Sequence, residues 1–284
     1  MPKKRNSVVL SIRLDDQSLK AVDLLVESGL ETNRSRAAAH FVTAGIQASE
    51  ALLQKAQVLA DHVHRLRNEM IDAVKHNNVE KVTELIRQDS SLVNVSNSKG
   101  ETALLIATYL RANEIKELLI DHGAELSIFE ASAIGSTARV KQLLEMAPEL
   151  IGAYGPDGFQ PLSMAAHFGN EETVKLLLDC GADVNARSRD GSLNNMAIHA
   201  AILGNYEHII RILIQYGADV NAQCEGTQRM GYTALHVAAY FGRDSLIELF
   251  LHHGADPAIR NADGETPYDL AVSKGHQQAA ERLK

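Results

Sequence analysis

The sequence predicts a mainly α-helical protein: a solenoid of about seven helix–turn–helix units behind a strand–helix–helix module and a long connecting helix. Three observations carry that prediction. Glycines at 169, 204, 242 and 275 recur every 33 to 38 residues, and those at 181, 217 and 254 every 36 or 37. Between them stand paired apolar stripes at helical spacing, such as Leu235, Ala238 and Ala239 followed by Leu246, Leu249 and Phe250. At the other end of the chain, Val8–Leu14 alternates apolar with polar residues and two helical stripes follow, separated by Gly29.

Composition narrows the class. Hydrophobic residues make up 45 % of the 284, enough for a folded core. The net charge of −8 is unevenly placed, because Lys3, Lys4, Arg5 and Arg13 stand in the first fourteen residues with no acid. A basic arm on an acidic body is compatible with nucleic-acid contact. No apolar run has membrane-spanning length, and none follows the basic start as a signal peptide would. Cys180 and Cys224 make no disulfide framework, so a reducing cytoplasm is the expected location.

Residues 1–6 read as a basic tail. The module at 7–47 begins with the alternating strand, then Asp15-Asp16 as a cap for a helix marked by Leu19, Val22, Leu25 and Val26 and ended by Ser28-Gly29. Asn33 caps the next helix, which runs through Ala38, Phe41, Val42 and Ile46. These segments, VLSIRLDDQSLKAVDLLVESG and TNRSRAAAHFVTAGI, resemble the ribbon–helix–helix family of DNA-binding dimers. The resemblance implies antiparallel strands from two chains in a major groove, with Val9, Ser11 and Arg13 facing the bases. Arg13 suits guanine, whereas Val9 offers only methyl contacts. It also implies a phosphate at the start of the second helix, on Asn33, Arg34 and Ser35. A module of this shape can equally seal the array or dimerise without DNA.

From Ala48 the helical pattern runs without Gly or Pro to about His76, with residues 48–67 as the connector. Ser49, Ala56, Val63 and Met70 stand seven apart, and Leu52, Leu59, Leu66 and Ala73 follow each by three. That seam suits pairing of two chains or packing on the first repeat.

The array is expected over 68–284. Its clearest unit is Tyr232–Gly264, where Thr233 caps a first helix, Gly242 turns the chain, and Gly254 ends a second helix before an extended loop. Thr233-Ala234-Leu235-His236, Thr266-Pro267-Tyr268-Asp269 and three Gly-Ala-Asp turns resemble the ankyrin repeat family, with its T-P-L-H-x-A opening and period near 33 residues. The join between the second and third units is cut short, whereas Ser192–Asn195 and Cys224–Met230 lengthen two later joins. A last unit with Gln277, Gln278, Glu281 and Arg282 serves as a polar cap.

No residue set points to catalysis or to a metal or cofactor. The resemblance gives His199 and His236 a structural task, tying loop to helix start. His252-His253 and His62/His64 are spaced to point apart, and no nucleophile elbow, Walker or dinucleotide motif occurs. Binding is the expected activity. By the glycine alignment, Tyr109, His167, Ile202 and Tyr240 form a mostly apolar ladder on the concave face, with the lengthened tip Gln228, Arg229 and Met230 beside it. The same residues can instead bridge neighbouring repeats. The function expected is a homodimeric transcription regulator or repressor responding to a protein partner; the alternative is a dimeric adaptor that never meets DNA.

Overall fold

The computed structural model describes residues 13–284. They divide after Arg65 into two compact units.

The first unit holds α1 (Asp16–Glu27), α2 (Arg34–Ala48) and the start of α3 (Glu50–Lys75). Asp15 caps α1 by accepting from the Ser18 N–H at 2.7 Å. Gly29, at φ 74°, turns the chain out of it. Asn33 accepts from the Arg36 N–H at 3.0 Å and so starts α2. Among the described residues of this unit the buried hydrophobic ones are Val22 and Ala37, one from each packed helix. Of the strand expected over Val8–Leu14, residues 8–12 lie outside the described part; Arg13 and Leu14 have no regular secondary structure. Among the described residues the β pairing is an isolated bridge between Ser96 and Thr102. The helix expected to run unbroken from α2 into the connector is interrupted at Ser49.

The second unit is a stack of helix pairs. The end of α3 pairs with α4 (Val79–Gln88). Then come α5 (Ala103–Tyr109) with α6 (Asn113–Asp121), α7 (Ile128–Ile134) with α8 (Thr137–Met146), and α9 (Pro161–Phe168) with α10 (Glu171–Asp179). The last three pairs are α11 (Ala197–Gly204) with α12 (Glu207–Gln215), α13 (Ala234–Tyr240) with α14 (Asp244–His252), and α15 (Pro267–Ser273) with α16 (Gln277–Arg282). Short 3-10 turns, Ser90–Asn94 and Pro148–Gly152, follow α4 and α8. A two-helix unit cannot cover its own apolar face, so each core is shared with its neighbours. Val140, Leu177, Ile210, Leu235 and Phe250 belong to one continuous cluster running from α7 to the C-terminus. A second cluster joins Leu66, Met70 and Ala73 of α3 to Leu85, Leu104 and Leu119. The seam on α3 is therefore split: Leu66, Met70 and Ala73 are buried, while Leu52, Leu59 and Val63 are exposed.

The turn inside each pair needs one left-handed residue. It is Asn77, Arg111, Gly135, Gly169, Asn205, Gly242 and Gly275 in succession, at φ between 50° and 85°. In the fifth pair that residue is Asn205, not Gly204. Gly204 has a different reason to lack a side chain: a Cβ there would stand 1.9 Å from the Tyr206 ring.

The joins are tied by repeated polar contacts. His236 accepts at Nδ1 from the Thr233 N–H at 3.2 Å, which leaves Nε2 to donate to the Glu265 carbonyl at 3.1 Å. Asn185 donates to the Gly217 carbonyl at 3.0 Å and accepts from the Asp219 N–H at 2.9 Å. Asn221 repeats the clamp one unit later, on Gly254 and Asp256. His199 departs from this scheme. It accepts from the Met196 N–H at 3.4 Å, but its Nε2 makes no hydrogen bond, although the Ala222 carbonyl faces it. Burial, with the charge of Arg187 beside it, pushes its pKa down to about 4.

Candidate partner-binding surface

The ladder is set by helix ends. The residue two before each left-handed turn stands at the end of the first helix of its pair. Tyr109, His167 and Tyr240 hold that place, Tyr109 being 36 % exposed and the other two half-buried. Ile202 does not. It is fully buried, because the turn residue is Asn205 and the register of the fifth pair moves by one. Leu203 takes the ladder position and is half-buried. The spacing from His199 to Asn205 equals that from His236 to Gly242, a signal that aligning glycines hides.

Two different environments stand along this ladder. At one end the short join His122–Ser127 forms no hairpin tip, and Ala133 supplies no bulk at the ladder position of the third pair. Tyr109 reaches across the gap. Its ring lies 5.9 Å from His167 and 5.2 Å from Phe168, two pairs along. Its hydroxyl donates to the Asp157 carboxylate at 2.7 Å. Burial, then that carboxylate, pushes the Tyr109 pKa up, and Glu101 and Asp190 add to the effect. The tips on either side of the missing one also close: a Cβ on Gly100 would stand 3.2 Å from Pro156. An open recess of about 750 Å³ remains, lined by residues including Lys75, Lys99, Leu110, Phe159 and Leu193. Burial and the neighbouring Arg111 hold the His167 pKa below its ordinary value.

At the other end the two lengthened joins pair with each other. The Gly226 N–H donates to the Leu193 carbonyl at 3.0 Å and the Gln228 N–H to the Ser192 carbonyl at 2.9 Å. Gly226 is obligatory, since a Cβ there would meet the Ser192 carbonyl carbon at 2.3 Å. Asp190 organises the first of these loops, accepting from the N–H groups of Ser192, Leu193 and Asn194. Partial burial opposes its ionisation, but hydrogen bonds led by those from Ser192 and Ser188 outweigh that and hold its pKa down to about 2. The paired loops leave Gln228 and Met230 exposed and bring the Arg229 guanidinium 5.7 Å from the Tyr240 ring centroid and 5.3 Å from that of Phe241. Cys224 is buried within the same loop, and burial pushes its thiol up to about 11.

The residues expected to meet DNA have a different fate. Val9 and Ser11 lie outside the described residues. Arg13 is exposed. Asn33 spends its side chain on capping α2, and Arg34 makes a two-pronged ion pair with Asp23, at 2.6 and 2.8 Å, that ties α2 to α1. Ser35 is exposed. Among the described residues no three His, Cys, Asp or Glu side chains are grouped to hold a metal ion, and no helix is long and apolar enough to cross a membrane.

Comparison with known proteins agrees with the array. The family model described as ankyrin repeats (3 copies) matches residues 128–224 and 198–284. The chain is 27 % identical over 236 residues to a Caenorhabditis elegans protein named transient receptor potential cation channel subfamily A member 1 homolog, covering 78 % of this chain and 19 % of that one. It is 28 % identical over 249 residues to the human SH3 and multiple ankyrin repeat domains protein 2, covering 83 % of this chain and 13 % of that one. A mouse protein, ankyrin repeat and SOCS box protein 16, is 36 % identical over 118 residues, 39 % of this chain and 25 % of its own length. The chain thus spans a quarter or less of each of these relatives.

Proposed function

The chain belongs to the ankyrin repeat family, and we propose that its array recognises a protein partner through the concave ladder while the N-terminal module pairs it with a second copy of itself. The contrast between the two units carries this reading. Among the described residues of the first unit Val22 and Ala37 are buried, while Leu24 and Leu30 of the module and Leu52, Val58, Leu59 and Val63 of the connecting helix are well exposed. Apolar side chains exposed in this way gain stability when they are covered. A second copy supplies the same apolar faces in matching form. Tyr109, His167, Leu203 and Tyr240 supply the aromatic and aliphatic contacts that dominate protein interfaces. The reading is non-enzymatic and cytoplasmic.

Two finer versions differ over DNA. The adaptor version has a specific observation in its favour: Arg34, a phosphate anchor by family analogy, is already paired with Asp23. The regulator version rests on Lys3, Lys4, Arg5 and Arg13 and on the ribbon–helix–helix resemblance. Titrating labelled duplex DNA into the wild type and Arg13→Ala at two salt concentrations separates them. Binding that weakens with salt and with the substitution supports a regulator; no binding at low salt leaves the adaptor. Sedimentation of the full chain tests the pairing itself, since a monomer at micromolar concentration overturns it.

A further inference from the structure

The Tyr240 end of the ladder carries a charge pattern at odds with the rest of the chain. Acids outnumber bases by 36 to 28 overall. Yet two cations flank this one ring: Lys274 Nζ lies 4.7 Å from its centroid, and the Arg229 guanidinium 5.7 Å. Among the described residues neither makes an ion pair with a carboxylate. The ring attracts both cations, but it cannot neutralise them. Apolar surface adjoins them, with Met230 51 % and Val272 55 % exposed. At the Tyr109 end the charges are mixed: Glu101 and Asp157 act on the Tyr109 hydroxyl, while Lys75 and Lys99 line the adjoining recess.

We infer that Arg229, Tyr240 and Lys274 form a dock for an acidic peptide segment of the partner, one in which an aspartate or glutamate stands beside an aliphatic or aromatic side chain. This rests on the concave face being the partner-binding surface. The carboxylate pairs with the Arg229 guanidinium, whose fork suits its two oxygens, while the Lys274 ammonium adds a second positive charge and the apolar neighbour lies against Met230 and Val272. A polyanion fits worse, because the net charge of −8 repels it.

The test selects short random peptides displayed on phage against the full chain and measures the recovered peptides, synthesised and labelled, by fluorescence anisotropy. The recovered set is expected to be enriched in Asp or Glu next to apolar residues. Lys274→Glu, on an exposed side chain of the last repeat, and Arg229→Glu are each expected to weaken binding about tenfold, with Lys141→Glu on α8 without effect. Duplex DNA added as competitor is expected not to displace the peptides. A neutral or basic recovered set, binding indifferent to both charge reversals, or displacement by DNA overturns the inference. Leu203→Asp separates the two levels. If it abolishes binding that the charge reversals spare, the concave face stands and the acidic dock falls; if it too changes nothing, both fall.

Discussion

The two units of this chain solve the problem of burying apolar surface in opposite ways. The array distributes it, each helix pair covering its neighbours, so that side chains as large as Phe250 and Met164 are sealed from solvent. In the N-terminal unit α1 and α2 lean on each other through Val22 and Ala37, and most of the large apolar side chains among its described residues stand in water. α3 passes from one regime to the other along a single seam: its exposed Leu52, Leu59 and Val63 give way to buried Leu66, Met70 and Ala73. Amphipathic patterning thus specifies that a face needs cover, but the cover can come from the same chain or from another.

The largest expected effect lies in the array. Phe250→Ala removes a fully buried ring and is expected to cost roughly 3–5 kcal/mol in urea unfolding, against about 1 kcal/mol for Val22→Ala. Equal losses would erase the contrast between the units. Next comes acid. His199 is held down to about 4 in the folded state against an ordinary value near 6.5, so the unfolded chain binds its proton first. Its contribution is complete above pH 6.5 and is lost as pH falls toward 4, by on the order of 3 kcal/mol at most. His236, lowered in the same direction by burial, adds to it. The urea midpoint of the array is expected to fall across that window, and His199→Gln to flatten the fall. A wild-type midpoint constant from pH 7 to pH 4.5 contradicts the assignment.

A smaller loss is expected from Gly158→Ala. This residue has φ +82°, and its added Cβ would meet the backbone of Arg189 at 2.6 Å. A cost of about 2 kcal/mol in thermal unfolding follows from strain and crowding together. The smallest stability change belongs to Leu59→Asp, within about 0.5 kcal/mol for the array because the side chain is 65 % exposed. Its effect is expected instead in sedimentation, where a dimer becomes a monomer. A variant that stays dimeric removes Leu59 from the interface.

Much of the array was legible because its determinants are local. Capping at Thr233 and Thr266, the Gly-Ala-Asp turns and the helical stripes all act within one unit. Ile202 was misplaced for an equally local reason: Asn also tolerates the left-handed turn, and Gly204 served the Tyr206 ring instead. The contacts that shape the candidate surface were not legible. Tyr109 to Asp157, Arg34 to Asp23, and the pairing of the two lengthened loops join residues far apart in sequence, and no periodicity encodes them. The lengthened tip read as a candidate partner-binding loop, and part of its backbone is spent on the neighbouring loop.

The reach of Tyr109 across the third pair has a mechanical consequence. A solenoid whose units touch only their neighbours peels under tension one unit at a time, and its resistance to force is that of a single joint. Here the second helix pair of the array is stitched to the fourth through Met164, His167 and Phe168 as well as Asp157. Tension applied from the N-terminal side must therefore load three units at once before the second comes away, so the array gives there in one larger step rather than three small ones.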